Sequence, residues 1–333
     1  MVKCLVMFSG GLDSTITIHL LKSQNVDVTA LHYILPFYSG LGFSHTKIRA
    51  MADALGVPIR VEEEGEEFLP MLKSPEFGYG KNVNPCLDCR IYRLTKAKRI
   101  MEETGAAFIA TGEVVGQRPM SQRLDCLHTI ENRTGLKGRL LRPLSAGLLD
   151  PTIPEQQGWV DRTKLLSIHG RGRKIQLAYA RQFSLNHLPP AGGCLLTHSD
   201  TTLRYNDLYE YNPDFDITDF KLLAWGRHFR LSPKFRLIVS RDEQETEVFL
   251  RLVGDGDYWF EMADILGPIG IGKGAPTPQE LDAACGIMAR FSREKQLPVS
   301  HVKVRFGERE DVHAVAPAAP ETCEKIQIKP IDR

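Results

Sequence analysis

The feature that most constrains this chain is a glycine-rich turn between an apolar run and a helix-like segment. Lys3 to Phe8 forms the apolar run, Ser9-Gly10-Gly11-Leu12-Asp13-Ser14 forms the turn, and Thr15 to Leu21 follows with the spacing of a buried helix. Such a turn brings backbone amides and a helix N-terminus to one point, where an anion can bind. Its serines add hydroxyl donors, and its aspartate is an acceptor that suits a magnesium ion. The sequence therefore predicts a phosphate-binding strand, loop and helix.

Strand-like and helix-like segments continue to alternate after this turn. Val28 to Leu35 is strand-like, and Ser44 can cap a helix that reaches Leu55 before Gly56. Arg90 to Thr104 repeats the helical pattern and leads into the strand-like Ala106 to Thr111. Alternating strands and helices predict an α/β fold with a parallel sheet covered on both faces.

The pattern changes near Leu188. A Pro-Pro-Ala-Gly-Gly loop follows, and Tyr205 to Asp214 is rich in polar and aromatic residues without a clear period. Beyond it we expect β-strands in FRLIVSR, EVFLRLV and DYWFEM, a glycine-rich loop, a helix from Pro278 to Glu294 and a strand in VSHVKVRF. The predicted organisation is a parallel-sheet domain at 1–200, a linker at 201–215, a smaller α+β domain at 216–307 and a tail at 308–333.

Composition excludes several classes of protein. The chain has 333 residues with 42% hydrophobic and 25% charged side chains, so disordered, collagen-like and fibrous structures are excluded. No window approaches the roughly 18 apolar residues of a membrane helix, and the N-terminus lacks a signal-peptide pattern. We therefore expect a soluble cytoplasmic protein that does not bind a membrane. Its seven cysteines, an odd number, are expected to be thiols or ligands and not disulfides.

Charge is uneven along the chain. The net charge is +1, yet residues 81–181 contain 18 basic and 9 acidic side chains. Such a segment fits a surface that meets a polyanion, and it equally fits a solvated basic face. Charge alone leaves both interpretations open.

The hexapeptide at residues 9–14, set between strand and helix, resembles the loop of the ATP pyrophosphatase (PP-loop) superfamily, whose members split ATP into AMP and pyrophosphate. The resemblance implies an adenine nucleotide alpha hydrolase-like fold with ATP and Mg²⁺ as cofactors. It also implies nucleotide-binding roles for Ser9, Gly10, Gly11, Asp13 and Ser14, with a catalytic role for Asp13. Gly267 to Gly274 nearly matches a Walker loop, but Gly274 stands where that loop has a magnesium-binding hydroxyl, so we reject it as a nucleotide site.

A second motif follows the strand at Ala106 to Thr111. Thr111-Gly112-Glu113 is followed by Gly116-Gln117 and Ser121-Gln122, at the sheet edge where such folds bind ligands. The stretch, with Arg142-Pro143-Leu144 after it, resembles tRNA 4-thiouridine synthetases. That resemblance implies nucleotide contacts from Gly112 and Gln122, a basic nucleotide ligand at Arg90, and a position near the adenosine for His32 and Tyr33.

Three cysteines can carry further chemistry. Cys86 and Cys89 form a CxxC at a predicted helix start, where the helix dipole and Arg90 favour thiolate. A redox pair, half of a zinc site and part of an iron–sulfur site all have this spacing, and Cys194 in its glycine-rich loop supplies a third thiol. Three structural thiols are the alternative. Cys4, Cys126, Cys285 and Cys323 are assigned no chemistry.

Two resemblances assign these cysteines differently. A CxxC with a distant third cysteine is similar to the cluster-dependent branch of the thiouridine synthetases, which implies that Cys86, Cys89 and Cys194 are both catalytic and the ligands of a [4Fe–4S] cluster. The Asn-Pro-Cys start resembles the bacterial 2-thiouridylases, which implies a persulfide pair of Cys86 and Cys194. We favour the cluster because Cys89 has no part in the persulfide scheme.

The C-terminal region carries a separate resemblance. Asp257-Tyr258-Trp259-Phe260, Gly267-Pro268 and the run from Gly274 to Lys295 resemble the RNA-binding domain of NFACT proteins. Members usually have a histidine near Glu261, which this chain lacks. The resemblance implies an RNA-binding module, and a dimerisation domain is the alternative.

Together these features predict an ATP-dependent tRNA sulfurtransferase that adenylates a uridine and then transfers sulfur, with 4-thiouridine at position 8 as the favoured product. The alternatives are 2-thiouridine formation at the anticodon, a PP-loop enzyme for a small metabolite, and an RNA-binding adaptor with a non-catalytic ATP site. Expected partners are tRNA and a sulfide source or sulfur-carrier protein, and the sequence leaves a homodimer open.

Overall fold

The structure is a computed structural model that describes residues 1–36, 45–189 and 194–329. It divides into two compact units. The first contains Met1–Leu35 and the described residues from 45 to Cys194, and the second contains Pro36 and the described residues from Leu195 to 329. The predicted Ser44 cap and the glycines of the loop before Cys194 lie outside the described residues.

The first unit is built on a five-stranded sheet in which every neighbouring pair is parallel, as the sequence predicts. Its order is β3-β2-β1-β4-β5. The strands are β1 Lys3–Met7, β2 Asp27–Ile34, β3 Ile59–Glu63, β4 Phe108–Thr111 and β5 Leu140–Leu141.

Helices cover both faces of this sheet. They are α1 Leu12–Lys22, α2 His45–Ala54, α3 Leu69–Lys73, α4 Cys86–Thr104, α5 Leu124–Thr134, α6 Ile153–Gln156 and α7 Lys174–Gln182. Alternate residues of β1 point to opposite faces, so Cys4 and Val6 join the apolar cluster under α1 and α2, while Leu5 and Met7 join the cluster under α4. This two-sided burial explains why β1 is apolar throughout.

The strand order determines where a ligand can bind. β1 lies between β2 and β4, and the chain leaves β1 for β2 on one side and reaches β4 on the other. Open α/β sheets bind ligands outside the carboxyl ends of the strands at such a reversal. The loop after β1 and the segment after β4 meet there.

The second unit is a six-stranded antiparallel sheet with helices, in the order β11-β10-β8-β9-β7-β6. Its strands are β6 Arg227–Ser232, β7 Phe235–Val239, β8 Tyr258–Met262, β9 Gly270–Gly274, β10 Ser300–Phe306 and β11 Arg309–Val315. Its helices are α8 Ser199–Tyr211, α9 Ile217–Leu222, α10 Glu243–Leu252, α11 Pro278–Arg290 and α12 Pro320–Ile326. The predicted α+β class is confirmed.

Three local predictions for this unit were wrong. EVFLRLV lies mainly in α10, because Asp242 caps the helix by accepting from the Glu245 amide at 2.9 Å and the buried Glu245, Val248 and Phe249 recur at helical spacing. The glycine-rich stretch ends in β9, where Gly270 leaves room that its neighbours Met288 and Phe260 occupy. The aperiodic stretch after 205 belongs mostly to α8, which begins before the predicted linker.

The predicted tail is also mostly ordered structure. Arg309–Val315 forms β11, which pairs with β10 across a turn at Gly307, whose φ is +58°. Cys323 in α12 is buried in the apolar cluster of the second unit. The polar composition of this hairpin concealed its pairing, because an edge strand exposes most of its side chains to water. Among the described residues, no helix is both long enough and apolar enough to span a membrane.

Candidate functional site

The loop between β1 and α1 forms a compact turn. Gly10 has a φ of +72°, a left-handed conformation that side chains other than glycine rarely adopt. A Cβ at this position would also lie only 2.8 Å from the Ile48 Cδ1 atom. Gly11 is the N-cap of α1 and has no side chain to cap the first helical amides. The loop therefore leaves the positive end of α1 facing the carboxyl edge of the sheet.

The two serines of the loop hold its shape. The Ser14 hydroxyl donates to the Gly11 carbonyl at 2.9 Å, and the Gly11 amide donates to the Ser9 hydroxyl at 3.3 Å. The two hydroxyl oxygens lie 3.2 Å apart. Predicted residues 9, 10, 11 and 14 are therefore brought together, as a phosphate-binding loop requires.

Asp13 is the acidic residue of this loop, and its carboxylate is only partly satisfied. Oδ2 accepts from the Gln117 side-chain amide at 3.2 Å, while Oδ1 is buried without a hydrogen-bond partner among the described residues. Burial raises the pKa of Asp13, opposed by Gln117 and by the charge of Arg173. An orphaned buried carboxylate oxygen beside a phosphate loop fits a magnesium ligand.

Gly112 packs directly on the start of α1. A Cβ at Gly112 would lie 2.7 Å from the Asp13 carbonyl carbon and 2.8 Å from the Ser14 amide nitrogen. Because both contacts are with backbone, the loop cannot give way without shifting the helix start. Gly112 therefore helps to position the glycine-rich loop at residues 9–14.

Glu113 joins two arginines in a buried ionic network. Its carboxylate lies 3.0 Å from the Arg90 Nε atom and accepts a hydrogen bond from the Arg142 Nε atom at 3.0 Å. The Glu113 side chain is 2% exposed and that of Arg142 is 1% exposed. Burial alone would raise the pKa of Glu113, but the charges of Arg90 and Arg142 outweigh it and hold the pKa below its ordinary value.

The CxxC motif begins α4, with Cys86 as its first residue. The Asn84 amide donates to the Cys86 sulfur at 3.2 Å, so the residue before the Pro-Cys step orients this thiol. Between the cysteines, Asp88 accepts from the backbone amide of Glu76 at 2.8 Å and from that of Phe77 at 3.3 Å. Asp88 therefore anchors the preceding loop, and the cysteines remain partly exposed.

Arg93 is the cation that interacts electrostatically with both Cys89 and Cys194. Its Nε atom donates to the Cys89 carbonyl at 3.4 Å. Burial alone would lower the pKa of Arg93, but its interactions with Cys89 and then Cys194 outweigh burial and raise that pKa. Within 1–36, 45–189 and 194–329, however, no group of three His, Cys, Asp or Glu side chains is arranged to hold a metal ion.

The remaining predicted nucleotide ligands lie at the same sheet edge with other contacts. The His32 Nδ1 atom donates to the Phe8 carbonyl at 2.8 Å. Tyr33 is buried with its hydroxyl unpartnered among the described residues, and burial raises its pKa. Gln122 is buried, and its backbone carbonyl accepts from the Gly116 amide at 2.7 Å. Their roles toward a nucleotide stay predictions.

Parts of the chain are similar in sequence to known proteins. It is 33% identical over 117 residues to a tRNA-specific 2-thiouridylase MnmA of Syntrophotalea carbinolica, covering 32% of this chain and 33% of the relative. It is 32% identical over 145 residues to a probable tRNA sulfurtransferase of Lysinibacillus sphaericus, covering 43% and 34%. Residues 226–326 match the model of the NFACT protein RNA binding domain. Part of the chain is thus similar in sequence to proteins named as tRNA thiolases, and residues 226–326 are similar to the NFACT RNA-binding domain.

The extent of these matches is limited. The chain spans about a third of the length of the curated relatives that it matches. A solved 4-thiouridine synthetase in complex with RNA and bound ATP matches 43% of this chain and 36% of its own, at 26% identity and a TM-score of 0.34. The NFACT match continues to residue 326 and so includes most of the predicted tail.

Sequence reasoning missed several residues of this candidate site. Gln117 donates to the Asp13 carboxylate, and Glu113 joins Arg90 to Arg142, and the sequence predicted neither pairing. Gln117 and Glu113 both belong to the motif that begins at Thr111. The sequence therefore marked these residues as functional candidates but did not indicate which side chains they bind. Arg93 gave no such signal, because only the fold places it near Cys194.

Proposed function

We propose that this protein is an ATP-dependent tRNA thiouridine synthase that adenylates a uridine and then replaces its oxygen with sulfur. The observation that carries the proposal is the meeting of the PP-loop with the TGE motif, where Gly112 packs on the Asp13 backbone and Gln117 binds its carboxylate. The sequence relatives, which are named as tRNA thiolases, support it.

In the first step the uridine carbonyl oxygen attacks the α-phosphorus of ATP, pyrophosphate leaves and the base releases its N3 proton. The protein must hold two large reactants in line and stabilise phosphate charge. The α1 N-terminus and the serine hydroxyls suit the phosphates, and Arg90 is a further cation at the same edge. After adenylation, the oxygen can leave the uridine carbon as part of AMP, which is a good leaving group. The unmodified carbonyl oxygen is a poor one.

Magnesium would be held by Asp13, whose unpartnered Oδ1 atom lies at the loop. When bound, the ion would neutralise phosphate charge. Gln117 orients the carboxylate by donating to its other oxygen.

Sulfur delivery is assigned to Cys86, Cys89 and Cys194. In the persulfide scheme, a sulfur-carrier protein loads a sulfur atom onto Cys86, and its terminal sulfur attacks the adenylated carbon while the bond to AMP breaks. The Cys194 thiolate then attacks the Cys86 sulfur, leaving sulfur on the base and a Cys86–Cys194 disulfide that a thiol reductant restores. The base regains its N3 proton. The Asn84 contact to Cys86 and the field of Arg93 at Cys194 support this assignment.

The product we favour is 4-thiouridine at position 8, because the TGE, GQ and SQ stretch and the Arg-Pro-Leu step resemble the 4-thiouridine synthetases. The alternative is 2-thiouridine at the anticodon, which the Asn-Pro-Cys start and several relatives named 2-thiouridylases support. The NFACT-like domain would bind the RNA.

The deciding experiment incubates unmodified tRNA with the protein, ATP, Mg²⁺ and a persulfide donor, and measures AMP, pyrophosphate and the nucleosides by mass spectrometry. We expect one thionucleoside and one AMP for each sulfur incorporated. Formation of 2-thiouridine would overturn the position-8 assignment. Binding of tRNA without ATP cleavage would overturn the enzyme and favour an RNA-binding adaptor.

The cluster is tested separately. We would purify the protein without oxygen and assay iron and sulfide for wild type and Cys194→Ala. About four irons per chain, reduced in the variant, would show that the cysteines hold a cluster. Iron-free protein that still thiolates tRNA would support the persulfide scheme, in which Cys89→Ser keeps activity.

A further inference from the structure

The second unit contains a polar cavity that no motif predicted. It is an open cavity of about 560 Å³ at the start of α8. Its lining comprises Leu195, Thr197, His198, Ser199, Asp200, Thr201, Arg204, Ala224 and Arg241. Most of these residues precede the segment that matches the NFACT model, which begins at residue 226.

The two arginines of this cavity differ in how their charge is compensated. The Arg241 Nε atom donates to the buried Glu245 carboxylate at 2.7 Å, so its charge is already paired. Arg204 has no carboxylate within ion-pair distance among the described residues, although Asp200 stands one turn before it. Burial lowers the pKa of Arg204, opposed in part by Asp200. A desolvated guanidinium without a counter-ion is costly, and an anion in the cavity would relieve that cost.

Arg204 is also held in place before any ligand arrives. Its Nη1 atom donates to the Leu223 carbonyl at 2.9 Å, which ties it to the end of α9. Its Nε atom is buried and has no hydrogen-bond partner among the described residues. A fixed arginine with a spare donor is suited to a phosphate oxygen.

The other lining groups suit the same ligand. α8 is 13 residues long, its N-cap His198 makes no side-chain cap hydrogen bond, and Ser199 and Thr201 lie in its first turn. Backbone amides, hydroxyls and the helix dipole therefore join Arg204 on the cavity. Asp200 is the one acidic residue of this lining, and Arg204 and Arg241 are its two cations.

We propose that this cavity, called here the α8 pocket, binds a phosphate group of the RNA substrate. The identity of the RNA as tRNA rests on the proposed function. The phosphate chemistry does not, because it depends only on Arg204, the α8 start and the cavity. A free phosphate is the other source of the same group.

Two variants of the full chain test the pocket. Arg204→Met keeps the length of the side chain and removes its charge and donors. Ser199→Glu places a carboxylate at the pocket while adding an acid at a helix N-terminus, where it does not harm folding. Arg251→Met is the matched control, since Arg251 lies on the exposed side of α10 outside the pocket.

Binding of tRNA is measured by fluorescence anisotropy between 50 and 300 mM salt, conditions in which counter-ion release is resolved. We expect Arg204→Met and Ser199→Glu to weaken binding about tenfold, and Arg204→Met to lower the salt slope by about one. Arg251→Met should change affinity less than about threefold. Wild-type affinity and slope in both pocket variants would overturn the RNA assignment.

Thermal unfolding with inorganic phosphate, against chloride of equal ionic strength, separates the two sources. The PP-loop is intact in every variant, so only the difference between wild type and Arg204→Met reports the pocket. Phosphate that stabilises wild type more than Arg204→Met, with tRNA binding unchanged, would mean a free phosphate and overturn the RNA ligand. If Arg204→Met changes neither tRNA binding nor the stabilisation by phosphate, the proposal that the α8 pocket binds phosphate is wrong. Wild type that binds tRNA through Arg204 without forming thionucleoside would refute the proposed function and leave the pocket standing.

Discussion

The starts of α1 and α4 carry the two halves of the proposed chemistry, and they differ in how their acidic residue is used. Each helix has an aspartate in its first turn, Asp13 in α1 and Asp88 in α4. Asp88 accepts from two backbone amides of the preceding loop, whereas Asp13 keeps one buried oxygen without a partner among the described residues. The saturated carboxylate stabilises a loop, and the unsaturated one is available to a ligand.

The two starts also differ in what shapes them. The α1 start is shaped by its own loop through Gly10, Ser9 and Ser14, and by Gly112 packed behind it. The α4 start depends on distant partners, because Met120 lies 3.5 Å from the Asn84 amide that also reaches Cys86. We therefore expect variants at the α1 start to affect adenylation and variants at the α4 start to affect sulfur transfer.

The largest effect should come from Cys86→Ser. We expect thiolation to fall by about 10³-fold or more, since a hydroxyl cannot carry the transferred sulfur. AMP and pyrophosphate formation should continue, because the α1 start is untouched. Cys126→Ser, on the partly exposed face of α5, is the control and should behave as wild type. Loss of AMP formation in Cys86→Ser would break the division between the two helix starts.

Gly112→Ala tests the α1 side. The added Cβ would meet backbone at 2.7 Å and force the PP-loop to shift. A displacement of about 1 Å costs about 100-fold in rate, so we expect adenylation to fall by that factor, measured as AMP release. Gly256→Ala, where a Cβ meets nothing within 4 Å, should have no effect. A wild-type rate in Gly112→Ala would mean that the two motifs do not constrain each other.

Glu113→Gln tests how much the buried ionic network contributes to the stability of the protein. Removing one partner of a buried ionic network costs about 3–5 kcal/mol in the free energy of unfolding, because Arg90 loses its counter-ion and Arg142 keeps only its pair with Glu131. The control is Glu76→Gln, which breaks an exposed pair with Arg133 and should cost less than about 1 kcal/mol. Urea titration measures both. Equal losses in the two variants would contradict the network's role.

The pH dependence of this network follows from the lowered pKa of Glu113. A depressed carboxyl pKa contributes stability that is present above its unfolded value of about 4.3 and is lost as pH falls through the folded pKa. Wild type should therefore lose stability below about pH 4.3 more steeply than Glu113→Gln. Parallel acid curves for the two proteins would contradict this.

The sequence predicted the parallel sheet and the α1 start because both depend on local patterns. β1 is apolar on both faces, and the glycines of the loop mark a conformation that few residues adopt. Such information lies within a dozen residues of the feature that it determines.

The sequence could not predict the pairings that depend on long-range packing. Glu113 is separated from Arg142 by 29 residues, and Gln117 is 104 residues from Asp13. The sequence of β11 predicts a tail, because an edge strand with exposed, polar side chains lacks the apolar alternation that indicates a strand. The α8 pocket joins residues from three segments, and its single strongest group, Arg204, looks like any helical surface arginine in the sequence.

The smallest expected effect is the change in stability caused by Asp13→Asn. This substitution should raise stability although it abolishes activity. Burial raises the pKa of this carboxyl, so the folded state is penalised when Asp13 is charged. Stability linked to a raised carboxyl pKa is fully present below the unfolded value of about 3.9 and is lost as pH rises through the folded pKa. Asp13→Asn removes the charge and keeps the shape, so we expect it to be about 1 kcal/mol more stable than wild type at neutral pH, a typical gain when a functional group is replaced.

This gain should disappear near pH 3.5, where wild-type Asp13 is protonated, and adenylation should be lost at every pH because the amide cannot replace the carboxylate toward magnesium. Asp53→Asn, on the exposed face of α2, should change neither property. Thermal unfolding at the two pH values and AMP release measure the pair of effects. On this account the charged form of Asp13 lowers the stability of the folded protein and is the form required for activity. If Asp13→Asn is both less stable and inactive at neutral pH, this aspartate stabilises the fold, as Asp88 does.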